Sequence, residues 1–483
     1  MPGDTVLRVS SVGKEGDEQD HREWSFVKSQ DLQTAVESFM AERDIPGTAV
    51  AMVADGAITE EFGVGLANVG DGIPATPQTA WPICSLTKSI TCTAVMQLAE
   101  QGLLGIDDPV QKHLPGWRVA DAVASGEITI RQLMRHSSGI GLPGFQERVR
   151  TETPNPYPTR ESLMAALAGA ELQSGPGRFW SYSNEGFATL GHMVERVSGV
   201  PLEDYFLTRV FAPAGMRNTL VRFRDWRSLS DRAVNYTRPG SGEMATGETH
   251  GEYQVGHLAE DYQTYLSTGG VVSTAHDIAL YQVAAMDHDG SPLLGRESLE
   301  AMQRVSFEYG DTGWGYGFGW TISAHGGLKT VGHNGGMVGL STYSLMVPAE
   351  GTSVVVLTNR GNVVPLQLAE RLLEIVRGRP LWRDSPDQPL PFRSGYRLPV
   401  GGLNEFEGEY RQAGNSTLVR AISENGLVIE SPAESGESAV MVALPVGPDT
   451  FLGYETAQVA HFTRDADGVV AALLRGGFAY ERG

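Results

Sequence analysis

The stretch Ser85-Leu86-Thr87-Lys88 begins the run SLTKSITCTAVMQLAEQ, which covers residues 85–101. Its apolar residues recur at helical spacing and Gly102 ends the pattern, so we predict one helix over residues 85–101. Positions i and i+3 share a helix face, so the Ser85 hydroxyl and the Lys88 amine can meet. A serine hydroxyl needs a neighbouring base, and a lysine serves only if its pKa is lowered, which burial and a helix N-terminus promote. Alone, this spacing also arises by chance on surface helices.

A second candidate group is Tyr182-Ser183-Asn184, which follows Gly175-Pro176-Gly177 and precedes a helical pattern over residues 185–198. Polar groups on a loop between glycines and a helix are well placed to face a cleft. The competing interpretation is a tyrosine packed on the core, with Asn184 as the helix N-cap. For this motif taken alone, the competing interpretation is favoured.

The third group is His333-Asn334-Gly335-Gly336, which follows an aromatic and glycine-rich run over residues 314–320. Glycines inside a strand pattern mark the close approach of another backbone or a ligand. Taken alone, His333 is more often a structural histidine, and the aromatic run is more often a packed strand than a substrate site.

Together, the three groups resemble the motifs of the serine β-lactamase and penicillin-binding-protein superfamily. The form of the second motif that begins with tyrosine resembles the motif of class C β-lactamases, D-aminopeptidases and related esterases and peptidases. Residues 133–139, 214–219 and 267–274 resemble three further segments of the same superfamily. The resemblance covers residues 30–380.

The resemblance implies an α/β (α+β) protein with the β-lactamase/DD-peptidase fold. This fold has an antiparallel sheet flanked by helices, with a mostly helical subdomain inserted and the active site between them. The local patterns agree with it. They predict a helix around residues 32–40, a hairpin that turns at Asp55-Gly56, and antiparallel strands over residues 339–347 and 353–358.

The resemblance also implies a mechanism for the chain. Ser85 would attack a carbonyl and form an acyl-enzyme, while Lys88 and Tyr182 would share the transfer of its proton to the leaving group. Asn184 would orient the substrate and Lys88. The backbone N–H groups of Ser85 and Gly336 would form the oxyanion hole, which usually contributes most to acyl transfer.

His333, Asn334 and Gly335 are expected to bind substrate, although two of them depart from the family pattern. His333 stands where β-lactamases and transpeptidases carry a lysine that holds a carboxylate, which disfavours a β-lactam or a C-terminal carboxylate substrate. Histidine at this position is common in the esterase and peptidase branches. Asn334 replaces the usual threonine or serine.

The leading functional hypothesis is a serine hydrolase that cleaves a small amide or peptide bond. One alternative is a carboxylesterase for short acyl esters, because pocket shape decides the leaving group. Others are a non-catalytic member that binds ligands or acts as a scaffold, and acyl transfer to a small alcohol or amine. No G-x-S-x-G, H-E-x-x-H or Cys/His cluster occurs, so we expect neither metal nor cofactor.

The chain divides into four predicted parts. Residues 1–25 form a polar N-terminal tail, 26–383 the hydrolase domain, 384–395 a Pro-rich linker and 396–483 a small all-β barrel. Some relatives carry a lipocalin-like barrel at this place, and Gly408-Glu409-Tyr410 resembles its opening. In such proteins a barrel loop can reach the catalytic cleft or mediate assembly.

Composition limits the partners. The net charge is -21, from 37 basic and 58 acidic residues, which disfavours nucleic acid and membrane surfaces. The expected partners are a small molecule or short peptide as substrate and a second copy of the chain in a homo-oligomer. Cys84 and Cys92 are too few for a disulfide framework. No signal peptide or 18-residue apolar stretch is visible, so we expect a cytoplasmic protein if Met1 is the native start.

Overall fold

The computed structural model describes residues 29–141, 157–239, 243, 245–257, 265–308, 314–323, 328–381, 402–412, 415–422, 426–431, 439–447, 449–453, 459–475 and 478–483. The predicted tail and linker lie outside these residues, so the four domain boundaries stay predictions.

The described residues form twenty-two strands and fourteen α-helices, which are numbered here in chain order. The strands are β1 Gly47–Ala54, β2 Ala57–Asn68, β3 Ile73–Pro74, β4 Trp81–Pro82, β5 Tyr236–Thr237, β6 Ala245–His250, β7 Tyr253–Gly256, β8 Val272–Ser273, β9 Phe307–Glu308, β10 Trp314–Tyr316, β11 Thr321–Ser323, β12 Thr330–Met337, β13 Leu340–Val347, β14 Thr352–Thr358, β15 Gly408–Gln412, β16 Asn415–Ile422, β17 Gly426–Ser431, β18 Ala439–Gly447, β19 Thr450–Gly453, β20 Val459–Arg464, β21 Val470–Arg475 and β22 Phe478–Arg482.

The helices are α1 Ser29–Arg43, α2 Thr87–Glu100, α3 Val110–His113, α4 Ala122–Glu127, α5 Ile130–Met134, α6 Arg160–Leu167, α7 Asn184–Ser198, α8 Leu202–Tyr205, α9 Ala212–Ala214, α10 Phe223–Arg227, α11 Leu266–Gly269, α12 Ala275–Met286, α13 Arg296–Met302 and α14 Leu366–Arg377. Shorter helical turns cover Cys84–Leu86, Phe206–Phe211, Pro348–Glu350 and Asn404–Phe406.

A nine-stranded sheet forms the centre of the fold, in the order β3-β2-β1-β14-β13-β12-β11-β10-β9. All its neighbouring strands are antiparallel. The predicted hairpin is confirmed, because β1 and β2 pair and both Asp55 (φ 50°) and Gly56 (φ 75°) adopt the left-handed backbone that a tight two-residue turn needs. The predicted antiparallel pair after residue 339 is β13 and β14.

Both faces of this sheet are covered, and β1 shows how. Successive side chains of a strand point to opposite faces, so Ala49 and Ala51 join the large core on the helical side while Val50 and Met52 join a second core. Helices α1 and α14 close that second core, in which Leu32 and the other apolar residues of the predicted first helix are buried.

The helical subdomain lies on the first face and surrounds α2, which is buried from Thr87 to Leu98. The predicted helix over residues 85–101 is correct in place, but its first residues differ. Ser85 belongs to the tight turn Cys84–Leu86, and the α-helix itself begins at Thr87. The nucleophile candidate therefore precedes the first α-helical turn.

Strands β15–β22 form a closed antiparallel barrel with its own apolar core, which includes Phe406, Phe451 and Phe462. This barrel confirms the expected small all-β unit, and the expected fold class, an antiparallel sheet flanked by helices with a helical subdomain, is also confirmed. Across the described ranges, no helix combines the length and the apolar character needed to span a membrane.

Candidate active site

The turn that carries Ser85 has an unusual backbone. Cys84 is a non-glycine residue with φ 53°, a left-handed conformation that costs about 1–2 kcal/mol. Its side chain is buried in the core on the helical side of the sheet, which holds the turn in place. Strained residues of this kind cluster at functional sites, and this one places Ser85 between the end of β4 and the start of α2.

Lys88 lies beneath Ser85 and is completely buried. Its Nζ donates to Ser85 Oγ at 3.1 Å and to the backbone carbonyl of Thr268, in α11, at 2.7 Å. The amine also lies 4.7 Å from the ring centre of Tyr182 and 5.4 Å from that of Phe187. One carbonyl and two aromatic rings therefore hold the amine against the serine.

Tyr182 contacts the same serine from the loop that precedes α7. Its hydroxyl donates to Ser85 Oγ at 2.9 Å. Burial raises the pKa of Tyr182 above its ordinary value of 10.0, and the hydrogen bond to Ser85 opposes this only in part. Tyr182 is therefore a protonated phenol at neutral pH. The structure thus brings Tyr182 to Ser85 and Lys88, although it lies almost a hundred residues from them in the sequence.

The start of α7 differs from the competing interpretation of the second motif. The N-cap is Ser183, whose hydroxyl accepts from the N–H of Gly186 at 3.0 Å, and Asn184 is the first residue of the helix. Asn184 is buried, with 7% of its surface exposed. Its expected role toward substrate and Lys88 stays a prediction; the Lys88 amine donates to Ser85 and to Thr268.

Strand β12 approaches the Ser85 turn so closely that only glycine fits. A Cβ on Gly335 would lie 2.6 Å from the carbonyl oxygen of Ile83 and 2.9 Å from Cys84 Cβ. Gly336 is exposed, and a Cβ there would meet nothing within 4 Å. Strand β12 therefore places its backbone next to the Ser85 turn, with open space beside Gly336, as a backbone oxyanion hole requires. The assignment of the N–H groups of Ser85 and Gly336 as its donors stays a prediction.

His333 is buried, with 2% of its surface exposed, and Asn334 is exposed. Since a backbone carbonyl only accepts, His333 Nδ1 must donate to the carbonyl of Asn334, and Nε2 then accepts from the Tyr316 hydroxyl at 2.8 Å. Burial, and to a lesser degree the charge of Lys88, lower the pKa of His333 to about 3. A neutral, enclosed imidazole cannot supply the positive charge of the lysine that the resemblance implies for this position.

His136 is a residue of this site that sequence reasoning did not select. Its Nδ1 accepts from the N–H of Ser183 at 3.0 Å, and its ring lies 4.2 Å from Tyr182 and 4.8 Å from Tyr316, between centroids. Burial lowers its pKa, so it stays neutral and positions the tyrosine loop. The segment around it, residues 133–139, was the only signal in the sequence.

One group of described residues could offer ligands to a metal ion. The ligand atoms of Glu161, His192 and Glu195 all lie within 4.8 Å of one another. However, Arg160 donates to Glu195 at 2.9 Å and also to Glu203 at 3.1 Å. Because the Arg160 guanidinium already pairs with Glu195, one of the two carboxylates of the group, we assign no metal to it.

Comparison with known proteins extends these observations. Residues 32–376 match the Beta-lactamase family. Penicillin-binding protein 4 of Amycolatopsis lactamdurans is 28% identical over 80% of this chain and 98% of its own length. Penicillin-binding protein 4* of Bacillus subtilis is 28% identical over 75% of this chain and 78% of its own.

A similar solved structure is that of an octameric penicillin-binding protein homologue from Pyrococcus abyssi. The two sequences are 26% identical and the structures superpose with a TM-score of 0.63. The match covers 93% of this chain and 99% of the Pyrococcus abyssi chain. This match extends past the catalytic part of the chain into the barrel. The family match covers more than half of the sequence and agrees with the fold, and the chain therefore belongs to the Beta-lactamase family.

Proposed function

We propose that this protein is a serine hydrolase that cleaves a small amide or peptide bond through an acyl-enzyme on Ser85. The observation that carries the proposal is the position of Ser85 Oγ, 3.1 Å from Lys88 Nζ and 2.9 Å from the Tyr182 hydroxyl. A serine within reach of two proton-transfer groups is the arrangement that nucleophilic catalysis needs.

The two partners differ in the step that they can perform. A phenol that stays protonated at neutral pH is a proton donor, so we assign the role of base to Lys88. Once its amine is in the uncharged form, it accepts the Ser85 proton as the new C–O bond forms. The negative charge on the former carbonyl oxygen then faces the N–H groups of Ser85 and Gly336. When the C–N bond breaks, Tyr182 gives a proton to the leaving amine and recovers one from Lys88.

Water completes the reaction by the same route. It attacks the ester that links Ser85 to the acyl group and gives a proton to Lys88, and Ser85 Oγ leaves with a proton. The sum is one water consumed, with one amine and one carboxylic acid released. Lys88 and Tyr182 end in the protonation states in which they began.

The neutral His333 limits the substrate class. With a pKa of about 3 it carries no charge at neutral pH, and its two ring nitrogens are already bonded. The proposal is therefore an amide or peptide whose recognition does not depend on a cation at this position. His333 would act on substrate through the strand that it holds, beside the exposed Asn334 and Gly336.

The test combines a covalent probe with a substrate panel. A fluorophosphonate should add once to the wild-type chain, not at all to Ser85→Ala, and slowly to Lys88→Ala, as read by intact mass. Turnover of D- and L-amino acid p-nitroanilides should then exceed that of p-nitrophenyl esters relative to the uncatalysed rates. Ester turnover alone would replace the amidase proposal with the carboxylesterase alternative. No adduct would favour a non-catalytic ligand-binding role.

We also propose that the protein assembles into a homo-oligomer, because the similar Pyrococcus abyssi protein is octameric and resembles this chain over nearly its whole length. Light scattering coupled to size exclusion should give a multiple of the 52.0 kDa chain mass. A mass of one chain at micromolar concentration would reject the assembly.

A further inference from the structure

A pocket of about 380 Å³ lies between the segment 226–235 and the segment 246–257. None of the described residues that line it belongs to the Ser85 group. Its wall combines the cations Arg227 and Arg232 with the apolar side chain of Trp226, and Val234 and Val255 add further apolar surface. The pocket thus offers positive charge beside an apolar surface.

The charge of this wall contrasts with that of the whole protein. The chain carries a net charge of -21, yet none of the described lining residues has a carboxylate. The guanidinium of Arg232 in a concave wall of an acidic protein attracts small anions locally.

The guanidinium of Arg232 is held in place before any ligand arrives. Its Nε donates to the carbonyl of Arg227 at 3.2 Å, and its central carbon lies 5.9 Å from the Trp226 ring centre. Among the described residues, that carbonyl is the hydrogen-bond acceptor of this side chain, which leaves the two terminal nitrogens for a ligand. A planar fork that is already oriented loses less entropy for each hydrogen bond it forms.

The walls of the pocket are also tied to the rest of the fold. Trp226 Nε1 donates to the carbonyl of Ala80 at 3.1 Å. Asn235 Nδ2 donates to the carbonyls of Gly256 and Val338, at 3.0 Å each. Ala80 lies five residues before Ser85 and Val338 two residues after Gly336. Hydrogen bonds thus join the pocket walls to the segment before the Ser85 turn and to the segment after β12.

We propose that this pocket binds a small carboxylate that carries an apolar group. The terminal nitrogens of Arg232 pair with the two carboxylate oxygens, since a guanidinium fork matches that geometry. Trp226, Val234 and Val255 surround the apolar part. This site is separate from the Ser85 chemistry and does not rest on the proposed hydrolysis.

The test measures binding to the full chain by calorimetry, in the Ser85→Ala background so that no turnover can occur. The probe is 3-phenylpropionate, and its uncharged counterpart is 3-phenylpropanol. We expect saturable binding of the carboxylate and binding of the alcohol at least about 10-fold weaker, because charge-assisted hydrogen bonds are lost. Inorganic phosphate, an anion without an apolar part, should also bind at least about 10-fold more weakly.

Variants locate the binding. Arg232→Gln should weaken the binding of 3-phenylpropionate at least about 10-fold, while Arg224→Gln, which changes an exposed arginine of the preceding helix α10, should leave it unchanged. Equal effects of the two variants, equal affinity for phosphate, or no binding heat would each overturn the proposal. If Arg232→Gln loses its near-ultraviolet circular dichroism, Arg232→Lys is the deciding variant, because it keeps the positive charge and removes the guanidinium fork. It should weaken the binding of 3-phenylpropionate and leave the binding of 3-phenylpropanol unchanged.

Discussion

The ring of Phe179 lies edge-on against the ring of His461, with 5.0 Å between their centroids and 61° between their planes. His461 is in β20 between Ala460 and Phe462, which both belong to the barrel core, so its side chain points out of the barrel. It is nevertheless only 7% exposed; Thr450 of the neighbouring strand β19 bonds its Nδ1, and Phe179, from outside the barrel, packs against its ring. Phe179 comes three residues before Tyr182, so the barrel contacts the loop that carries the proposed proton donor.

Removing this contact should loosen the Tyr182 loop. An aromatic pair contributes about 0.5–1.5 kcal/mol, so we expect His461→Ala to slow fluorophosphonate labelling of Ser85 by about 2- to 10-fold. The control is Asp465→Ala, which changes an exposed residue directly after the same strand. Equal labelling rates in wild type and His461→Ala would show that the contact does not act on the site.

His461 also makes stability depend on pH. Burial lowers its pKa to about 4 in the folded protein, against an ordinary value of 6.5. Between these values the unfolded chain binds the proton and the folded chain does not, so stability falls as the pH drops from about 6.5 to about 4, by up to about 1.4 kcal/mol per pH unit. Urea unfolding at pH 7.0, 5.5 and 4.5 should show a smaller loss for His461→Asn than for wild type. Parallel pH profiles would contradict this assignment.

Tyr182→Phe separates the hydroxyl from the ring. The substitution keeps the ring contacts to His136 and Lys88 and removes only the hydrogen bond to Ser85. We expect kcat for the best substrate to fall about 10²- to 10⁴-fold, with the melting temperature little changed. Tyr316→Phe is the matched control, since it removes a hydroxyl bonded to His333 and none bonded to Ser85. A similar loss in both variants would assign the effect to packing.

Two neighbouring glycines of β12 should respond differently to a methyl group. Gly335→Ala forces the strand away from Ile83 and Cys84, and such overpacking costs about 1–3 kcal/mol. Gly336→Ala enters open space, so its unfolding free energy should stay close to that of wild type. Chemical denaturation and fluorophosphonate labelling of both variants test this. Equal stability of the two would contradict the close approach of β12 to the Ser85 turn.

Much of the fold was readable from local patterns. The Asp55-Gly56 hairpin, the helix after Ser85 and the antiparallel strand pair after residue 339 follow from turn residues and from the spacing of apolar residues along the chain. The resemblance of three short motifs predicted the family correctly. These features need no knowledge of which distant segments meet.

Other features depended on distant contacts. The sequence did not distinguish Ser183 from Asn184 as the helix cap, because both residue types cap helices and the backbone angles decide. His136 carried no signal of its own, since its role arises from packing against Tyr182 and Tyr316.

The sequence by itself therefore determined the elements, the family and the pairing of Ser85 with Lys88, which are one helical turn apart. The resemblance implied that Tyr182 also acts on Ser85, and the structure places its hydroxyl on the same oxygen. Only the tertiary structure decided that His333 is buried and neutral and that His461 contacts Phe179. The physical reason is that charge state and contact between remote residues depend on burial, and burial is a property of the packed chain.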